Sequence, residues 1–124
     1  MVKNKLSKFF SIFPWPDKPE RKEGSEYFNS TIKNMQKLLE HQWVRIFLKK
    51  REIRILEICG GAGFGGVALS KLLMDKSLDV ALVITDLRKE ALKKAKKWGE
   101  KVLRKKIFTK IIDAKEIYRL KKKV

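Results

Sequence analysis

The side chains best placed for chemistry are three carboxylates, Glu57, Asp86 and Asp113, and a glycine-dense bend, Cys59-Gly60-Gly61-Ala62-Gly63-Phe64-Gly65-Gly66. Glycine destabilises a regular element by roughly 0.5–1 kcal/mol relative to alanine. A cluster of this kind therefore marks a backbone that turns tightly or lets a ligand come close. Backbone N–H groups in such a bend, with a helix starting beside them, can face that ligand. A carboxylate at Asp86 can accept hydrogen bonds from both hydroxyls of a ribose, and one at Asp113 can accept from an exocyclic amine. One turn and two acids describe a nucleoside site. Other chemistry is thinly supplied. The single Cys59 and single His41 give no intrachain disulfide and no metal-ligand set, and a lone cysteine fits a reducing cytoplasm. His41 reads as an ordinary surface or core residue.

These groups need elements to carry them. Ile53 to Cys59, "IRILEIC", is apolar and β-branched, as in a strand buried on both sides. Asp79 to Thr85, "DVALVIT", is a second such run and ends at Asp86. Lys106 to Asp113, "KIFTKIID", is a third. Between them "GVALSKLLM" reads as a helix with Val67, Leu69, Leu72 and Leu73 inward. "RKEALKKAKKWGEKVLRK" reads as another, with Leu92, Ala95, Val102 and Leu103 inward. The order β-α-β-α-β, with connections of this length, predicts parallel strands joined by right-handed crossovers. That is part of a doubly wound α/β sheet of about three strands, in which ligands bind beyond the carboxyl ends of the strands.

Ahead of the sheet, residues 1–24 read as an irregular arm with Pro14, Pro16 and Pro19. Residues 25–51 read as a helical segment, one long helix or one broken once, with Ser25 as cap and Phe28, Ile32, Met35, Leu39, Trp43, Ile46 and Phe47 on one face. This helix serves either as a lid over the ligand or as plain structure packed on the sheet near Trp43. Phe9, Phe10, Ile12 and Phe13 form a short apolar patch. It lacks the cleavage site of a signal peptide, and either packs on the domain or touches a membrane surface. No apolar run approaches the ~20 residues of a membrane span.

The chain of 124 residues carries 31 basic and 14 acidic side chains, a net charge of +17. The excess lies mostly after Leu87, where 16 basic residues stand against 4 acidic ones. Such a half attracts phosphate backbones, so a nucleic acid or another polyanion is one expected partner. A second source of the same composition is growth at high temperature, which enriches lysine and glutamate and depletes asparagine and glutamine.

Two nucleoside-binding patterns fit the bend. Gly61-Ala62-Gly63-Phe64-Gly65-Gly66 matches the G-x-G-x-x-G of NAD-binding folds, and Asp86 follows at a suitable distance. On that reading Glu57 is unexplained, because a carboxylate just before the turn repels a pyrophosphate. "ILEICGGAGFGG" also resembles motif I of the class I (Rossmann-like) S-adenosylmethionine-dependent methyltransferases, written as apolar residues, an acid, then x-G-x-G-x-G. Glu57 stands at the acid, Gly61 and Gly63 at the second and third glycines, and Cys59 at the first. "VITDLRKEALKKAKKW" looks like that family's second motif and "IIDAKEI" like its third.

The resemblance covers about residues 53–120 and makes residues 52–124 the S-adenosylmethionine-binding half of such a domain. It implies that Glu57 and the backbone of Cys59, Gly60, Gly61, Ala62 and Gly63 hold the methionine end of the cofactor. Asp86 then binds the ribose, and Leu87 covers one adenine face. Asp113 accepts from the adenine amine, and the Ala114 N–H donates to a ring nitrogen. Cys59 departs from the pattern. It reads as a small buried apolar residue, strained if the position needs positive φ.

That family's sheet usually has seven strands. Here only the first three are expected, which leaves strand one with an open edge and the apolar faces of Ile53, Ile55, Leu56 and Ile58 uncovered. The expectation is a truncated or split enzyme, or an edge covered by a second polypeptide, by self-association or by a folded-over N-terminal helix. Catalytic residues are not identifiable, and a non-catalytic basic nucleic-acid-binding or assembly module is the competing reading.

Overall fold

In the computed structural model, residues 19–119 are described. The arm's apolar patch and Trp15 lie outside them. Helix α1 (Lys22–Leu39) and the short α2 (Gln42–Phe47) precede β1 (Glu52–Glu57), α3 (Phe64–Asp75), β2 (Asp79–Asp86), α4 (Lys89–Leu103) and β3 (Phe108–Ile111). A kinked 3-10 segment, Ala114–Arg119, follows. The sheet is parallel, in the order β1-β2-β3, with Glu57 level with Ile84 and Asp86 level with Ile111. This is the partial doubly wound sheet of three parallel strands that the alternating pattern predicts, wound on one face.

Both crossover helices cover one face. Phe64 and Val67 of α3 meet Leu82 and Ile84 of β2 and Leu92, Ala95 and Trp98 of α4 in one core, closed below by Leu103 and Ile107. The edge-on pair of Phe28 and Trp98, with centroids 5.0 Å apart, pins α1 to this core. A second cluster, Leu39, Leu73 and Val80, seats the far end of α1 and the half-buried Val44 and Leu48.

The opposite face carries neither crossover helix, although Val83 and Thr85 of the central strand are buried on it. Leu56, Val83 and Phe108 stand in one row across the three strands. Leu56 and Phe108 remain 42% and 57% exposed, and Ile58 just beyond β1 is 47% exposed. β1 therefore alternates between exposed and half-buried positions instead of being buried on both sides as its composition suggested. The physical reason is that no described element covers that face. β1 also pairs with β2 alone, so its outer edge is open among the described residues.

Three local expectations change. Arg21, not Ser25, precedes the first helical turn, so Ser25 lies inside α1. The helical segment breaks at Glu40–His41, where His41 Nδ1 accepts the Trp43 N–H and caps α2. The break turns Trp43 outward, 69% exposed, so it does not pack on the sheet. α1 instead lies along α3 and does not fold over the β1 edge. No described helix is long and apolar enough to cross a membrane.

Candidate functional site

The turn after β1 is built by its neighbours as much as by its glycines. The Gly60 N–H donates to the Thr85 carbonyl at 2.8 Å, and the Gly63 N–H to the Gly60 carbonyl at 2.8 Å. The Thr85 hydroxyl returns a bond to the Glu57 carbonyl at 2.9 Å. The backbone is left-handed at Cys59, Gly61 and Gly63 (φ 56°, 55° and 82°). Gly61 and Gly63 meet this need freely. Cys59 does not: an L-residue there costs about 1–2 kcal/mol. It is also exposed, not buried as its small apolar character suggested, because the turn lifts it off the sheet.

Glu57 explains why the glycines run on past the turn. Its side chain enters from β1 and is enclosed by the turn and the start of α3. A Cβ added at Gly60, Gly65 or Gly66 would lie 3.0, 2.8 or 2.8 Å from a Glu57 carboxylate oxygen. These three glycines therefore clear a chamber for one carboxyl group. Oε2 accepts the Gly66 N–H at 3.0 Å, while Oε1 is buried with no hydrogen-bond partner. Burial pushes the Glu57 pKa up to about 7, against the smaller opposing effect of the Gly66 N–H.

Asp86 sits in the opposite situation at the end of β2. Oδ2 accepts the Gly61 N–H at 2.9 Å and Oδ1 the Arg88 N–H at 2.9 Å. The Arg88 guanidinium straddles both oxygens, at 3.1 and 3.4 Å. Burial alone would raise the Asp86 pKa, but the Arg88 side chain and these N–H groups hold it below the usual carboxylate value. The carboxylate thus ties the tip of β2 to the glycine turn. The Arg88 side chain is 69% exposed, so its fork can open towards solvent when another donor arrives.

Asp113 stands apart. Its Oδ1 accepts the Lys115 N–H at 2.9 Å and its carbonyl the Glu116 N–H, so it closes its own turn. Its link to the other acids is through the backbone, where the Ile112 N–H donates to the Asp86 carbonyl at 3.2 Å. Ala114 and Leu87 are exposed beside these strand ends. The hollow next to the turn, about 460 Å³, is lined by Ala62, Arg88, Lys89, Glu90, Ala91 and Lys94. The structure thus joins Glu57, the turn and Asp86 into one unit, but none of Glu57, Asp86 and Asp113 lines this hollow, which the turn reaches through Ala62. Two contributors escaped the sequence: Thr85, which braces β1, and Arg88. The second had a signal, since an aspartate often binds the N–H two residues on. No group of His, Cys, Asp and Glu among the described residues could hold a metal ion.

No protein-family model and no curated protein matches the chain. Among solved structures, it is similar to the crystal structure of the PH0226 protein from Pyrococcus horikoshii OT3, with a TM-score of 0.52 and 20% identity. The match covers 86% of this chain and 42% of that one, so this chain spans less than half the length of its neighbour. At such identity the likeness is one of fold. With the parallel sheet and one-sided helices, it places the chain among Rossmann-like α/β structures.

Proposed function

We propose that residues 52–119 form the S-adenosylmethionine-binding half of a methyltransferase-like domain. The observation that carries this reading is Glu57, a carboxyl group enclosed beneath the glycine turn with one oxygen unpartnered. A negative charge there, in a poorly solvated place, disfavours a pyrophosphate on the turn and favours a cation. S-adenosylmethionine brings an ammonium and a sulfonium and no phosphate. The unpartnered oxygen beneath the turn favours its cationic amino-acid end. Asp86 suits the ribose, whose hydroxyls would replace the Arg88 fork. Leu87, Asp113 and Ala114 are offered to the adenine.

The cofactor, when bound, supplies an electrophilic methyl group. The chain's own part is to hold it: Glu57 balances charge, the glycines of the turn let the backbone come close, and Asp86 fixes rotation about the sugar. Acceptor-aligning groups are assigned to an element completing the sheet beside β1. Binding is therefore the property to test. Isothermal titration with S-adenosylhomocysteine should show saturable binding, weakened at least tenfold by Asp86→Asn, with affinity rising between pH 6 and 8 and nearly flat in Glu57→Gln. Saturable binding of NAD with none of S-adenosylhomocysteine would overturn the reading.

A further inference from the structure

A second hollow, about 430 Å³, runs between α4 and the outer strand β3. Lys89, Lys93 and Lys96 line it from the helix and Lys110 from the strand, over a floor that includes Leu92 and Ile111. We infer that this groove binds the phosphate backbone of a single-stranded nucleic acid. The inference goes beyond the cofactor reading and does not depend on it.

Three observations support it. First, acids do not balance the lysines. Lys93 reaches Glu90 loosely, at 3.7 Å with both side chains exposed, and Glu100 is engaged by the Ile107 N–H at 2.9 Å. No described ion pair holds Lys89, Lys96 or Lys110, whereas a thermal-stability network would intersperse partners of opposite sign. Second, the spacing is regular. Lys89, Lys93 and Lys96 recur every three or four residues, about 5–6 Å apart along the helix axis, so the groove offers a row of charges and not a point. Third, the groove is unsuited to a lipid surface. The large apolar side chains of α4, Leu92, Trp98 and Leu103, are buried in the core, and an interfacial helix needs an apolar face free to insert. A backbone groove with few base-reading groups predicts little sequence preference and strong salt dependence.

The test is fluorescence anisotropy on the full chain, without nucleoside cofactor, using a labelled 20-nucleotide single-stranded RNA of mixed sequence. The wild type should bind with log affinity falling linearly in log salt. The Lys89→Gln/Lys93→Gln/Lys96→Gln/Lys110→Gln variant should lose at least tenfold, and its salt slope should fall by about 3, as expected for four lost phosphate contacts. The corresponding fourfold Lys→Arg variant should retain binding, which separates charge from misfolding. A control removing four exposed lysines of α1 and its surroundings, Lys22, Lys33, Lys37 and Lys50, should lose less than threefold. Equal losses in the groove and control variants would overturn the proposal. So would equally tight, groove-dependent binding of poly-glutamate or of vesicles containing phosphatidylserine.

Discussion

The tips of β1 and β2 lie side by side, and each carries one acid against the same glycine turn, yet the two acids are treated in opposite ways. Asp86 receives four hydrogen bonds, from the Gly61 and Arg88 N–H groups and the Arg88 guanidinium. Glu57 receives one, from Gly66, and its second oxygen has none. One acid is satisfied as it stands and acts as a structural tie. The other is held at a cost that folding alone does not recover, which is the pattern expected where a ligand supplies the missing partner.

The largest expected effect is the pH response of Glu57. Its pKa is about 7 folded against an ordinary 4.5. Between those values the folded chain keeps a proton that the unfolded chain releases, so stability falls as pH rises from 4.5 through 7, by up to ~3 kcal/mol. Glu57→Gln should remove this loss. Denaturant melts of the two proteins should therefore diverge between pH 5 and 8, with the variant the more stable at pH 8. Parallel curves would dissolve the contrast with Asp86.

Asp86 has the opposite sign. Its folded pKa is lowered, so its contribution is present above its ordinary value of 3.8 and is lost as pH falls below it. Asp86→Ala leaves the Gly61 and Arg88 N–H groups without their acceptor and should cost about 2 kcal/mol at pH 7, measured by urea denaturation. A neutral result would mean that water replaces the carboxylate freely and that β2 is not tied to the turn.

Gly66→Ala tests the chamber. The new Cβ would sit 2.8 Å from both Glu57 Oε1 and Leu82 Cδ1. Crowding of about 1–3 kcal/mol opposes a helix-propensity gain of about 1 kcal/mol, for a net loss of about 1 kcal/mol. In a Glu57→Ala background one of the two collisions is gone, and the same substitution should become neutral or stabilising. Equal effects in both backgrounds would show that the glycines do not serve Glu57. The smallest effect is at Cys59. Replacing it with glycine relieves the left-handed strain but loosens the unfolded chain, for a net stabilisation of about 0.5 kcal/mol in thermal melts.

Much of the fold was legible because its signals are local. Apolar runs ending in acids gave the three strands, and Leu92, Ala95, Val102 and Leu103, whose steps of three, seven and eight fall on one side of a helix, gave the inward side of α4. Trp98 joined that core without having been assigned to it. The position of the break at His41 was not legible, since the apolar spacing runs through it without interruption. That β1 would have an uncovered apolar side followed from its missing neighbour strand, but that Leu56 and Ile58 are the exposed residues and Ile53 and Ile55 the half-buried ones was not legible, because all four look alike in sequence.

For the site, the sequence by itself determined which residues reach the strand ends, because strand length and turn chemistry are properties of neighbouring residues. It also supplied glycine at Gly61 and Gly63, where the backbone turns left-handed. Only the tertiary structure decided what the acids do there. Burial and hydrogen bonding depend on groups far apart in the chain: Gly66 closes over Glu57, Gly61 reaches across to Asp86, and Asp113 turns back on Lys115. The same carboxylate chemistry thus yields a poised charge at one strand tip, a tie at the next and a turn cap at the third.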